Sequence, residues 1–250
     1  MNIIDKQLII FDLDGTLAPS KSPIDAAMAG LLMKLLEHKK VAIMSGGGYP
    51  QFQTQLLTAL PHDSNNFGNL LLLPTSGTRL YVWKGEWVEK YAEHFELKEK
   101  EKVTFALKAA LTQAGYEPPV KTFGDIIEDR GSQITFSALG QNAPLDLKSA
   151  WDPTREKRQK IISCMDTKIP EFDMRIGGTS SIDITKKGVN KAYGIRKLEE
   201  YLKLAPDSLI FVGDALFRGG NDYPVKAIGI DTIQVSGPEE SKTLIASWLG

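Results

Sequence analysis

The segment Gln7-Leu8-Ile9-Ile10-Phe11-Asp12-Leu13-Asp14-Gly15-Thr16-Leu17 sets the architecture of this 250-residue chain. The apolar run Leu8–Phe11 is short, unbroken and bounded by polar residues, as in a strand buried on both faces of a parallel sheet. Directly after it the chemistry changes: Asp12 and Asp14 stand two positions apart, followed by a glycine that can turn the backbone. Val41-Ala-Ile-Met44 repeats the pattern and stops at Ser45-Gly46-Gly47-Gly48, and Leu70–Leu73 is a third such run. Between them Pro23–His38 has helical spacing, with Ser22 as a cap and Pro23 in the first turn, and Gln51–Leu60 also reads as helix. Strands alternating with helices predict an α/β fold of the doubly wound, parallel kind.

From Arg79 the rhythm changes. Arg79–Trp83, Lys84-Gly85 and Glu86–Val88 read as a hairpin. A Lys/Glu-rich helix over 97–114 follows, then strands near 126–127, 133–137, 172–176 and 181–184, with a helix near 153–165. The alternation in these strands predicts an antiparallel sheet with one face covered by two helices. The α/β rhythm resumes with a helix over 190–202 and strands at 209–212, 227–230 and 232–235. The expected organisation is a core of residues 1–83 and 187–250 interrupted by an α+β insert, residues 84–186.

Composition narrows the function. Thirty basic residues against 31 acidic give a formal charge of −1, so no global positive field draws nucleic acid or an anionic membrane. The single Cys164 excludes an intramolecular disulfide framework and a cysteine-rich zinc site. No stretch approaches the ~20 apolar residues that cross a bilayer, and the first residues lack a signal-peptide pattern, so a cytoplasmic protein is expected. His38, His62 and His94 are scattered, which removes histidine-based nucleophilic schemes. Trp83 and Trp87 flank the hairpin turn and read as packing residues.

In open α/β sheets ligands sit beyond the carboxyl ends of the strands. Here the first strand ends in Asp12 and Asp14, the second in Ser45 and its glycines, and a late one in Gly213-Asp214, followed by Gly219-Gly220-Asn221-Asp222. Four carboxylates at one edge repel one another unless a cation neutralises them, and an all-oxygen set suits Mg²⁺. The Ser45–Gly48 turn can direct backbone N–H groups, Gly46 included, and a hydroxyl at phosphate oxygens, and Lys191 can supply a fixed positive charge.

These residues resemble a known family. Phe11-Asp12-Leu13-Asp14-Gly15-Thr16-Leu17, then Ser45, Lys191 and the Gly-Asp…Asn-Asp motif, match in order the signature of the haloacid-dehalogenase (HAD)-like phosphotransferases. The resemblance spans essentially the whole chain, because the insert of about 100 residues is similar to the cap of that superfamily's subfamily IIB. It implies a HAD-like Rossmannoid parallel core carrying a type C2B cap. Within it the chain looks most like the eukaryotic-type phosphomannomutases, through Gly177-Gly-Thr-Ser-Ser-Ile-Asp183, Gly188-Val-Asn-Lys191 and the long step from Asp214 to Asp222.

The resemblance implies Asp12 as nucleophile and Asp14 as proton donor and acceptor. It implies Mg²⁺ held by Asp12, the Asp14 backbone carbonyl, Asp214 and Asp222, with Ser45, Gly46 and Lys191 on the transferred phosphate. It implies Arg130, Ser181 and Asp183 as cap contacts to substrate. The chain also departs from the family. Gln141 stands where the cap carries arginine in Ser-Pro-Ile-Gly-Arg, and Lys148 and Lys21 stand at two further arginine positions. Guanidinium binds phosphate bidentately, whereas glutamine is neutral and lysine a point charge. The first expectation is therefore a Mg²⁺-dependent phosphohydrolase of a small phosphorylated metabolite, a sugar phosphate, acting through an aspartyl-phosphate. The second is a phosphomannomutase, and the third a non-catalytic phospholigand binder. No nucleic-acid or membrane partner is expected, and a homodimer through the cap is a compatible assembly.

Overall fold

The computed structural model describes residues 3–250. Two compact units emerge: one runs up to Ala92 and resumes over Asn190–Gly250, and the other spans Glu93–Val189.

In the first unit, strand β1 (Leu8–Asp12) is followed by helix α1 (Ala26–Leu36), strand β2 (Lys40–Met44), helix α2 (Tyr49–Gln55) and strand β3 (Leu70–Leu73). Helix α1 is capped by Asp25, which accepts from the Met28 N–H at 2.9 Å, and not by Ser22 as expected. Helix α2 is shorter than the 51–60 segment expected, because the chain tightens to a 3₁₀ turn at Leu57–Ala59. Strands β4 (Arg79–Trp83) and β5 (Trp87–Ala92) form the expected hairpin, but β5 extends the core sheet, so the division falls after Ala92, beyond the Lys84 of the sequence reading. Aromatic packing holds the hairpin there. Trp83 and Trp87 lie 5.4 Å apart and pack on Phe67 at 5.2 and 5.8 Å, and the Tyr91 hydroxyl donates to Gly77 O at 2.9 Å.

The second unit holds helix α3 (Leu97–Ala114), strands β6 (Ile127–Asp129) and β7 (Gln133–Ser137), helices α4 (Leu145–Trp151) and α5 (Glu156–Met165), and strands β8 (Phe172–Gly177) and β9 (Ser181–Lys186). Its sheet, ordered β6-β7-β9-β8, is antiparallel throughout. One face buries Ile134, Phe136, Ile182 and Ile184 against Val103 and Leu107 of α3 and Ile161 and Met165 of α5. By the period-2 alternation of strands, the other face carries Gln133, Thr135, Ser137, Ser181, Asp183 and Thr185. The helix read near 153–165 begins only at Glu156, because Asp152 stops α4 and turns back to accept from the Lys157 and Arg158 N–H groups at 3.1 Å each.

The chain returns to the first unit with helix α6 (Lys191–Leu202), strand β10 (Leu209–Gly213), helix α7 (Tyr223–Ala227), strand β11 (Asp231–Gln234) and helix α8 (Pro238–Leu249). The strand expected at 227–230 is instead the end of α7 and a turn through Gly229, whose φ of +82° suits glycine. The core sheet is ordered β11-β10-β1-β2-β3-β4-β5, parallel through β3 and antiparallel beyond it. Alternation divides its side chains between two layers. Ile9, Phe11, Val41 and Ile43 pack with α1 and α8, while Leu8, Ile10, Ala42 and Met44 pack with α6 and α7. No helix among the described residues is long and apolar enough to cross a membrane.

Arg158 is the largest fully buried side chain. Its guanidinium pairs with Asp152 at 2.8 Å and reaches the Gly178 and Asp152 carbonyls at 3.0 and 3.1 Å. Arg158→Met strands a buried carboxylate and is expected to cost about 3–5 kcal/mol in urea unfolding. Burial by itself pushes the Asp152 carboxyl up, but hydrogen bonds from Arg158 and Lys157 hold it below its ordinary value. Its stabilising contribution is therefore complete above the unfolded carboxylate pKa, about 3.9, and is lost as pH falls through the depressed folded value. Unfolding of the Asp152→Asn protein should show a weaker acid dependence in that window.

Candidate active site

Strands β2, β1 and β10 run side by side and parallel, with Asp12 opposite Met44 and Phe11 opposite Val212, so the residues that end them share one edge. Asp12 ends β1, Ser45 follows β2, and Asp214 follows β10. Lys191 reaches this edge from the first position of α6, which Asn190 caps by accepting from the Tyr193 N–H at 3.1 Å. The helix packs very close to the loop after β3: a Cβ on Gly194 would lie 2.8 Å from both Ser76 O and Met44 Cε.

The Lys191 ammonium lies 2.5 Å from Asp12 Oδ1 and is also paired with Asp222 Oδ1. All three residues are at most 2% exposed. Asp222 Oδ2 accepts from the Ala215 N–H at 3.1 Å, which ties the long loop after β10 back to its own start. Burial raises the Asp12 pKa well above the ordinary range; Lys191 opposes the shift, and the Asp222 and Asp14 charges add to it. Asp214 is raised too, first by burial and then by Asp222. Burial alone would lower Lys191, but the adjacent Asp12 and Asp222 charges carry it above its ordinary value and keep it an ammonium.

Carboxylate oxygens of Asp12, Asp214 and Asp222 lie within 4.8 Å of one another. Three carboxylates against one ammonium leave an excess of negative charge in a buried space, and the donors are all hard oxygens. That chemistry fits Mg²⁺. The Asp14 carboxylate does not join the group. It accepts from the Lys21 N–H and Gln51 Nε2 at 2.6 Å each, and from Gln55 Nε2 and Ser45 Oγ at 3.3 Å each. Ser45 Oγ in turn accepts from the Gly47 N–H at 3.0 Å, and Gly46 lies in the same turn. Gln51 and Gln55 escaped the sequence reading. The signal was there, as glutamines four apart on the helix that follows the Ser45–Gly48 turn.

In the second unit, the Arg130 guanidinium is ion-paired with Glu128, Nη2 to Oε2 at 2.6 Å. Ser181 and Asp183 are brought together on β9. Ser181 Oγ donates to Gly177 O at 2.7 Å, and Asp183 Oδ1 accepts from Thr135 Oγ1 at 2.8 Å. With its amide oriented to satisfy both ends, Gln141 donates to Glu128 Oε2 at 2.8 Å. Lys148 is buried and donates to Gln141 O at 2.6 Å.

Comparison with known proteins places the chain in a lineage. The family model for eukaryotic phosphomannomutase matches residues 28–247. The phosphomannomutase of Spinacia oleracea is 27% identical over 227 residues, covering 88% of this chain and 86% of that protein. The phosphomannomutase of Schizosaccharomyces pombe is 28% identical over 235 residues, covering 88% and 85%. Among solved structures, an N-terminally truncated Plasmodium falciparum IMP-nucleotidase aligns with a TM-score of 0.71 at 18% identity, over 97% of this chain and 70% of that one. A haloacid dehalogenase-like hydrolase from Bacteroides thetaiotaomicron aligns with a TM-score of 0.64 at 14% identity, over 97% and 99%. The structural likeness bears on fold alone and agrees with the HAD-like α/β core and its insert. The chain thus belongs to the eukaryotic phosphomannomutase family.

Proposed function

We propose that this protein transfers a phosphoryl group on a small phosphorylated sugar, and that its reaction is that of a phosphomannomutase, interconverting mannose 6-phosphate and mannose 1-phosphate. The observation that carries the reading is the buried Asp12–Lys191–Asp222 group beside Asp214, within a chain of this family. It reverses the order of the expectations drawn from sequence, in which hydrolysis came first, because the curated relatives are phosphomannomutases.

Lys191 holds one oxygen of Asp12 at 2.5 Å, which leaves the other to approach phosphorus. The new bond joins Asp12 Oδ2 to phosphorus, the phosphorus–ester oxygen bond breaks, and a proton from Asp14 passes to the departing oxygen. In the second half, Asp14 takes the proton of an acceptor hydroxyl, that oxygen attacks phosphorus, and the acyl-phosphate bond to Asp12 breaks. Lys191 and Ser45 offset charge on the phosphoryl oxygens, and the Ser45–Gly47 contact keeps that turn in shape. Asp12, Asp214 and Asp222 would hold Mg²⁺, with the Asp14 carbonyl completing the set, and the ion would supply electrostatic neutralisation. In the insert, Arg130, Ser181 and Asp183 would contact the sugar or its second phosphate.

A specific observation favours hydrolysis as the second reading. Arg130 is ion-paired with Glu128 at 2.6 Å, and Gln141 and Lys148 stand where the resemblance leads one to expect cap arginines, so bidentate capture of a second phosphate is weakened. Water as acceptor in place of a sugar hydroxyl gives the phosphohydrolase.

Mannose 1-phosphate with Mg²⁺, with and without a hexose 1,6-bisphosphate, distinguishes them. Bisphosphate-stimulated mannose 6-phosphate is the expected product. Release of inorganic phosphate instead makes the protein a hydrolase, and neither product, with ligand binding retained in Asp12→Asn, makes it a binder. Asp12→Asn is expected to lower turnover at least ~10³-fold. Saturating Mg²⁺ is expected to raise the unfolding temperature by about 5 °C in the parent and not in Asp214→Ala. An equal rise in both would remove Asp214 from the metal site.

A further inference from the structure

We infer that Gln51 is a positioning residue for the proton transfer carried by Asp14, and that position 47 is glycine to make room for its amide. The inference rests on the phosphoryl-transfer reading above and adds to it a residue that neither the sequence motifs nor the metal site includes. Asp14 is two residues from Asp12, yet its carboxylate is turned away from the Lys191 group and held at both oxygens. The Lys21 N–H donates to Oδ1 and Gln51 Nε2 to Oδ2, each at 2.6 Å, so two short bonds on opposite oxygens set both the direction and the plane of the carboxyl group. The other side-chain donors are longer. Ser45 Oγ and Gln55 Nε2 lie at 3.3 Å, and Gln55 spends its better bond, 2.8 Å, on Ser22 O.

The second observation is spatial. Gly47 does not have a positive φ, so its backbone does not call for glycine. A Cβ there would overlap Oε1 and Cδ of Gln51 and come within 3.1 Å of Nε2. The amide therefore occupies volume that any other residue at position 47 would fill.

An amide suits this post better than a cation. Gln51 is neutral and donates through Nε2, so it holds the Asp14 carboxyl while leaving the proton that goes to the departing oxygen uncontested. Asp14 can then keep one orientation before and after its proton moves to the departing oxygen. A lysine or arginine there would set a full positive charge against the group that must carry that proton.

The test separates proton delivery from general damage by varying the leaving group. An alkoxide departing from a hexose 1,6-bisphosphate, which can donate to Asp12 in either reading, needs the Asp14 proton, whereas p-nitrophenolate departs without it. First-turnover release of each leaving group is followed by rapid mixing, with Mg²⁺, in the parent, Gln51→Met and Gly47→Ala. In Gln51→Met the first-turnover rate on the hexose 1,6-bisphosphate should fall at least ~10-fold with half-saturation unchanged within about threefold, while the p-nitrophenyl phosphate rate falls far less. Gly47→Ala keeps the glutamine but evicts its amide, and should show the same selective loss, so that misfolding of one variant leaves the other to decide. Equal losses on both donors, or no loss on either, would overturn the inference. A parent that releases no leaving group from either donor would sink the phosphoryl-transfer reading itself, and this inference with it.

Discussion

One buried ammonium organises the candidate site. Lys191 lies against Asp12 and Asp222 in a space where none of the three is more than 2% exposed. Without it, two carboxylates at that edge would repel each other in surroundings that screen charge poorly, and both would carry the full cost of leaving water. With it, the edge tolerates a third carboxylate, Asp214, and still presents a set of hard oxygen donors that would suit a divalent cation. The same contact joins β1 to the start of α6 and to the loop after β10, segments separated by most of the chain.

Small residues make the gathering possible. A Cβ on Gly15 would come within 2.6 Å of Asp214 Oδ2, and at its φ of +83° any side chain would also be strained. A Cβ on Gly213 would run into the Asp222 carboxylate. Gly194 does the corresponding work for α6, letting its first turn bring Lys191 to the edge of the sheet. Gly15 and Gly213 are spacers between a backbone and a charged group, whereas Gly194 makes room for the Ser76 carbonyl and the Met44 side chain.

The inserted unit carries a different balance. Its helices and the apolar face of its sheet form a separate core, and several of its polar and charged groups are paired within the unit. Glu128 holds Arg130, Thr135 holds Asp183, and the Lys148 ammonium is spent on a carbonyl. In a family defined by its sugar-phosphate chemistry, this leaves hydrogen bonding more prominent than cationic capture there. It is why hydrolysis stays beside isomerisation as an account of the activity.

The buried strands were legible from the sequence because an apolar run with both faces covered has few other solutions, and Asp12, Ser45 and Asp214 were legible because each ends such a strand. Lys191 and Asp222 were legible as a cation and an acid directed at that edge, but nothing in their immediate neighbours says that they face each other. The hairpin's allegiance was misjudged, because strand alternation alone cannot say which sheet β5 joins; the contacts of Trp83, Trp87 and Tyr91 do. Residues 227–230 look like a strand locally, yet they close a helix and a turn. What the linear order of residues determined was which groups stand at strand ends and which chemistry they can perform. Which of them face one another, with Asp14 turned to Gln51 and Lys191 set between Asp12 and Asp222, was decided by tertiary packing, because side-chain partners far apart in the chain meet only when strands and helices dock.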